Sequence, residues 1–256
     1  QLAAAAIVVL GEKLFIVDIG VFSGVFGSPE LKILHSLLAI FAITVAINAF
    51  NMIDGIDGLA ASMALLALTH IHLSFNFILG SVPDDYSAFA VLFSGALIGF
   101  LLFNLQVFNG RKIFLGDSGS MLLGLMIGTA LIGASQETTR FAGSPNIPAT
   151  LCLWAIAIPI TDITVIIIRR FAAGHSPMAP DRKHLHHKII DLGFSSRRTL
   201  LVLILSAVGA FWLGYGLTIQ FGEAVSIFCF FIFIPSYYFV IQLVCSLYKK
   251  ASSATS

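Results

Sequence analysis

Long stretches of this chain carry almost no charge. Apolar runs recur at residues 2–17, 33–50, 59–79, 88–107, 119–135, 148–168, 199–219 and 224–247. Most are long enough to cross ~30 Å of hydrocarbon as a helix of about 20 residues. The run at 2–17 is the weakest, being short and carrying Glu12 and Lys13. In lipid every backbone N–H and C=O must be satisfied within the protein, which leaves helices or a closed barrel. Barrel strands alternate apolar and polar residues, and these runs do not. Of 256 residues, 58% are hydrophobic and 11% charged, against roughly 45–50% and about 25% in soluble domains. The expected fold is an all-α integral membrane protein: a polytopic bundle of about eight transmembrane helices forming one domain over 1–256. Within it, 169–198 is a basic, histidine-bearing loop.

The remaining charges sort the two faces. One alternating set of connections carries Arg111, Lys112, Arg169, Arg170, Arg182, Lys183, Lys188, Arg197, Arg198, Lys249 and Lys250; the other carries Lys13, Lys32 and Arg140. Cytoplasmic connections collect Lys and Arg, so residues 51–58, 108–118 and 169–198 are expected on the cytoplasmic side. A formal net charge of +1 offers no basic field for nucleic acid, which is excluded as a partner. Cys152, Cys229 and Cys245 lie singly in apolar runs and read as small buried hydrophobes. The chain opens at Gln1, directly in an apolar run and with no charged leader, as a fragment lacking its N-terminus would.

Three constellations fall in the cytoplasmic segments. In the first, Asn48, Asn51, Asp54 and Asp57 recur every three residues at a membrane boundary. On a helical or near-helical path they share a face, and Gly55 and Gly58 allow a tight turn or a close approach. Two carboxylates there could hold Mg²⁺, meet a substrate donor or take a proton. Helix capping by Asp57 is the plainer reading, but a cap requires no amides upstream.

The second is Lys112-Ile-Phe114-Leu-Gly-Asp117-Ser118-Gly-Ser, just before an apolar run. Asp117 stands where backbone N–H groups are unpaired and the helix dipole is positive; capping by Asp117 or Ser118 is again the plainer reading. Asn104, near the end of the preceding run, needs a polar partner, either a ligand or a neighbouring helix. The third constellation joins Arg169 and Arg170 to Arg182, Lys183, His184, His186, His187 and Lys188. Arg forks match phosphate oxygens, and imidazoles donate to phosphate or move protons near neutral pH. A zinc site is disfavoured, because no Cys or acidic partner has suitable spacing.

Elsewhere, Asp162 lies inside an apolar run and requires a partner; Arg169, two turns on, is one. His70 and His72 lie toward the opposite face and read as incidental. Gly95/Gly99 and Gly124/Gly128 have the spacing of close helix packing.

Together, NAFNMIDGIDGL, FLGDSGS and SPMAPDRKHLHHKI resemble the polyprenyl-phosphate N-acetylhexosamine-1-phosphate transferase family. That family includes initiators of O-antigen, enterobacterial common antigen and teichoic acid synthesis and, more distantly, the muramyl-pentapeptide phosphotransferase. The resemblance runs across essentially the whole chain, and the PDRKHLHH form is similar to the O-antigen and common-antigen branch.

The resemblance implies transfer of a sugar-1-phosphate, GlcNAc-1-phosphate first, from a UDP-sugar to undecaprenyl phosphate. The products are undecaprenyl-pyrophosphoryl-sugar and UMP, made at the cytoplasmic face of a bacterial inner membrane. It further implies Mg²⁺, with Mn²⁺ as substitute, and leaves room for a homodimer. By motif, Asp117 resembles the metal ligand, with Asp54 beside it, and Asp54 and Asp57 the acidic pair near metal and nucleotide. Phe114 matches the position that stacks on uracil. His184, His186 and His187, with Arg182 and Arg170, resemble the phosphate- and sugar-facing loop, and Asn48, Asn51 and Asn104 complete the substrate-binding set.

Family members also carry an adjacent Asp-Asp pair on an earlier cytoplasmic loop. Asp84-Asp85 is the only such pair here, and it falls on the opposite side, so about three spans and that pair are expected to be missing. Three rivals remain. The CDP-alcohol phosphatidyltransferases share Asp-x-x-Asp-Gly, but Ser62 stands where their pattern needs Arg. A polytopic transporter would place its polar groups at the midplane. An inactive fragment or scaffold is favoured only by the chain's start.

Overall fold

The computed structural model describes residues 1–17, 19–20, 31–108, 110–136, 146–174 and 184–254, with 249–254 as backbone only. Among the described residues the helices are α1 (Leu2–Glu12), α2 (Lys32–Ile53), α3 (Leu59–Leu79), α4 (Asp84–Asn104), α5 (Gly116–Ser135), α6 (Ala149–Ala155), α7 (Ala157–Ala172), α8 (Leu185–Ile190) and α9 (Ser196–Ala254). No strand occurs among them, and the chain is an all-α polytopic membrane protein. Outward-facing Phe41, Val91, Leu92, Leu205 and Phe228 are exposed, as lipid-facing residues should be. The core joins Phe50, Leu68, Ile127, Ile158 and Leu203 from five helices.

Five helices are long and apolar enough to cross a membrane, or six if the bent pair α6–α7 is one span. The last of them hides a further crossing. Gly222 breaks α9 with φ 82° and ψ 171°, a region open essentially to glycine alone. Thr218 Oγ1 then donates to Ser226 Oγ at 2.8 Å, although eight residues span about 12 Å along a helix. The Trp154 ring lies against both Gly214 and Phe230. α9 is therefore a hairpin whose limbs, 196–221 and 223–254, correspond to the last two apolar runs.

Two of the eight expected spans come out differently. The run at 2–17 is helical over Leu2–Glu12 and leaves the helix at Lys13; Ala5 and Val9 bury it against Ala39 and Ile43 of α2. The run at 148–168 is divided at Ile156, where α6 and α7 meet at 78°. Pro159 is tolerated because it lies in the first turn of α7.

Among the described residues, 54–58, 105–108, 110–115, 173–174 and 184–195 share one end of the bundle, as the alternation of helix ends requires. Asp84 and Asp85 lie in the first turn of α4, about 30 Å along that helix from its motif end at Asn104. Of the two glycine pairs, only Gly124/Gly128 packs a helix within this chain: a Cβ on Gly124 would fall 2.4 Å from Ile47 Cα, whereas Gly95 and Gly99 have nothing within 4 Å. His70 is interior, its ring stacked on Phe211 at 4.0 Å.

Candidate active site

The acidic groups meet because of one helix register. α2 and α5 run antiparallel, with Gly128 against Ile43 and Gly124 against Ile47. One turn on, Asn51 Nδ2 donates to Ser120 Oγ at 2.9 Å. Continuing the same register pairs Asp54 with Asp117. The consequence is electrostatic: burial first, then the Asp117 and Asp57 charges, push the Asp54 carboxyl up to about 6.

Neither Asp57 nor Asp117 caps a helix. Gly58 and Leu115 hold the N-cap positions of α3 and α5, and neither cap has a side-chain hydrogen bond. Asp57 Oδ2 instead accepts from Lys112 Nζ at 2.6 Å, which joins the first two motifs. The same ammonium lies 4.9 Å from the Phe114 ring centroid. That ring is 73% exposed and presents a flat, open face at the edge of the acidic group.

The amides divide. Asn48 donates to the Thr44 carbonyl of its own helix at 2.8 Å. Asn104 is buried and donates to Ile113 O at 2.8 Å, fixing the segment that carries Phe114 to the end of α4. Its Oδ1 has no hydrogen-bond partner among the described residues.

The histidines form a layer over the first motif. His184 and His186 stack with centroids 5.5 Å apart and planes 9° apart, and His187 lies 4.3 Å from His186. His186 is 1% exposed, and among the described residues neither ring nitrogen has a hydrogen-bond partner. Its Nε2 sits where Gly55 lacks a side chain, since a Cβ there would be only 2.0 Å away. Burial chiefly, with neighbouring imidazoles adding, lowers His186 to about 4, so it is a neutral donor–acceptor at pH 7. Arg170 is buried at the end of α7. Arg182 lies outside the described residues.

Asp162 does not pair with Arg169. Its Oδ2 meets His184 Nδ1 at 2.8 Å, and its Oδ1 accepts from Leu185 N at 2.8 Å. Arg169 donates to Tyr238 OH at 2.8 Å, because the second hairpin limb returns to this end. Sequence reasoning left out Lys112, Ser120, Gly55 as the seat of His186, and the Asp162–His184 contact. The signals were present only as a lysine within the second motif and a lone acid in an apolar run.

The donor set fits a divalent cation of the Mg²⁺ kind. Asp54 and Asp117 concentrate negative charge, while Asp57 is ion-paired with Lys112. Among the described residues no three His, Cys, Asp or Glu side chains close around one point. Mg²⁺ characteristically takes one or two carboxylates and completes its shell with water and substrate phosphate.

Residues 1–135 match the family described as glycosyl transferase family 4. The decaprenyl-phosphate N-acetylglucosaminephosphotransferase of Mycolicibacterium smegmatis is 36% identical over 238 residues, covering 88% of this chain and 55% of the relative. Its counterpart from Mycobacterium leprae is 34% identical, with 88% and 56% covered. The undecaprenyl-phosphate alpha-N-acetylglucosaminyl 1-phosphate transferase of Escherichia coli is 32% identical over 210 residues, covering 81% and 54%. The chain spans about half the length of the curated relatives it matches. With its acidic and histidine segments gathered at one end of a membrane bundle, the chain belongs to glycosyl transferase family 4.

Proposed function

We propose that this chain carries the acidic and histidine parts of an enzyme that transfers GlcNAc-1-phosphate from UDP-GlcNAc to a polyprenyl phosphate. An oxygen of the lipid phosphate attacks the β-phosphorus of the nucleotide sugar. The bond from that phosphorus to the bridging oxygen breaks, and UMP leaves with the electron pair. The products are polyprenyl-pyrophosphoryl-GlcNAc and UMP. The site faces the cytoplasm of a bacterial inner membrane, where both substrates are accessible.

One observation carries this reading: the antiparallel α2–α5 register sets Asp54 against Asp117, beside the buried His186 imidazole. Phosphoryl transfer needs positioning and charge neutralisation more than covalent help from the protein. Mg²⁺ held by Asp54 and Asp117, with Mn²⁺ as a substitute, would supply that neutralisation when bound. Phe114 offers its open face to the uracil ring. Neutral His186 can hydrogen-bond phosphate or sugar, and Arg170 and Arg182 provide cationic donors on the same segment. Lys112 holds Asp57 in place at the edge of the nucleotide site.

The CDP-alcohol alternative is weakened by Ser62, which is buried in α3 where that chemistry needs an arginine. The transporter alternative is weakened by the gathering of polar groups at one end. The test supplies labelled UDP-GlcNAc and polyprenyl phosphate, with and without Mg²⁺, to membranes holding this chain or the protein as its source organism makes it. Metal-dependent labelled lipid and UMP are expected from the natural protein. Release of CMP from a CDP-alcohol, or no transfer from any UDP-sugar by a properly inserted protein, would overturn the assignment.

A further inference from the structure

We infer that Asp162 is a positioning residue that holds His184 in its Nδ1–H form and presents Nε2 as the free nitrogen of the ring. Asp162 lies on α7 with 2% exposure. Both of its oxygens are engaged, Oδ2 with His184 Nδ1 and Oδ1 with the Leu185 N–H, each at 2.8 Å. A carboxylate only accepts, so the short contact places a proton on Nδ1 and leaves the Nε2 lone pair outside this bond.

A charge in an apolar helix is costly, and an amide or hydroxyl could anchor the Leu185 N–H equally well. What the carboxylate adds is control of one imidazole: it selects the tautomer and stabilises the ring if Nε2 gains a proton. The selected ring stacks on His186, which rests against Gly55, next in sequence to Asp54. A buried acid on the bent pair α6–α7 thereby sets the face that the histidine layer turns to the phosphates.

The kinetic part rests on the transferase reading; the tautomer does not. In ¹⁵N-histidine-labelled protein at a pH of about 8, above the ordinary imidazole value of about 6.5, wild-type His184 is expected to show a protonated Nδ1. A protonated Nε2 there overturns the proposal, whatever the variants do. Asp162→Asn keeps the size and the bond to Leu185 N–H but offers an N–H to Nδ1, so the proton should move to Nε2. In the natural protein, kcat for UMP release should fall by at least about 10²-fold and toward the about 10⁴-fold of a tautomer error in a hydrogen-bonded acid–histidine pair, with KM within about threefold. The same substitution in a His184→Gln background should cause no further loss. Wild-type turnover in Asp162→Asn, or a full second loss in that background, would overturn the inference. If the wild type transfers nothing, the function proposal fails and the nitrogen spectrum alone decides this one.

Discussion

Asp117 lies in the first turn of α5 without capping it, so Asp117→Asn should separate chemistry from folding. Asp117→Asn is expected to lower UMP release by at least about 10³-fold, consistent with the loss of a metal ligand and its charge, with membrane insertion unchanged. Turnover assay beside a topology reporter checks this. Gly55→Ala probes the opposite case, a residue with no chemistry of its own. Its new methyl would occupy the His186 Nε2 position, and a buried ring cannot yield cheaply. Activity is expected to fall at least about tenfold, with KM for the nucleotide sugar rising, as binding assays with UDP-GlcNAc would show.

Protonation acts at the same scale. With Asp54 at about 6, a proton competes with a cation below that pH. Mg²⁺ binding by the metal-free protein should weaken roughly tenfold per pH unit as pH falls below about 6, measurable by titration calorimetry. The stability effect runs the other way: between 3.8 and about 6 the folded state keeps a proton that the unfolded chain has lost, so this group makes the metal-free fold less stable as pH rises through that window. His186, lowered to about 4, makes the fold less stable as pH falls from about 6.5 toward 4.

Among the elements, α2 and α5 decide the site. Their approach depends on the absence of side chains at Gly124 and Gly128, and every turn of that register carries forward to Asp54 and Asp117. Gly124→Ala would set a methyl 2.4 Å from Ile47 Cα and 2.6 Å from Ala46 O. Because backbone must move, a destabilisation of about 1–3 kcal/mol is expected, read as a lower melting temperature in detergent together with weakened metal binding. A comparable change far from the site, Gly222→Ala, strains only the hairpin turn. It should cost about 1–3 kcal/mol with metal affinity unchanged.

These elements were unequally legible in the sequence. Runs of about 20 apolar residues define the long helices, and three-residue spacing marks Asn51, Asp54 and Asp57 as one face. The division at Ile156 has no comparable signal: Ala155 and Ala157 favour helix, and tertiary contacts of Trp154 with the hairpin hold the bend. Contacts such as Asp57–Lys112 and Asp162–His184 span 55 and 22 residues and follow from packing, which local pattern does not encode.

On the scale of the whole molecule, the motif end is built by helices distant in the chain, and each brings a different kind of group. α2 and α5 bring carboxylates, α7 and α8 the imidazoles and their acid, and the hairpin returns a phenol. Tyr238 on the second limb accepts from Arg169, and Lys188 lies 3.8 Å from its ring centroid, while Cys245 reaches the Lys188 carbonyl. The last limb therefore grips the segment that carries the histidines. During synthesis the acidic residues would be in place many residues before that grip exists. A nascent chain stalled just short of Gly222 would own Asp54, Asp57 and Asp117 yet leave its imidazole segment without this support, so the site reaches its final form only when the second limb of the hairpin has turned back through the membrane.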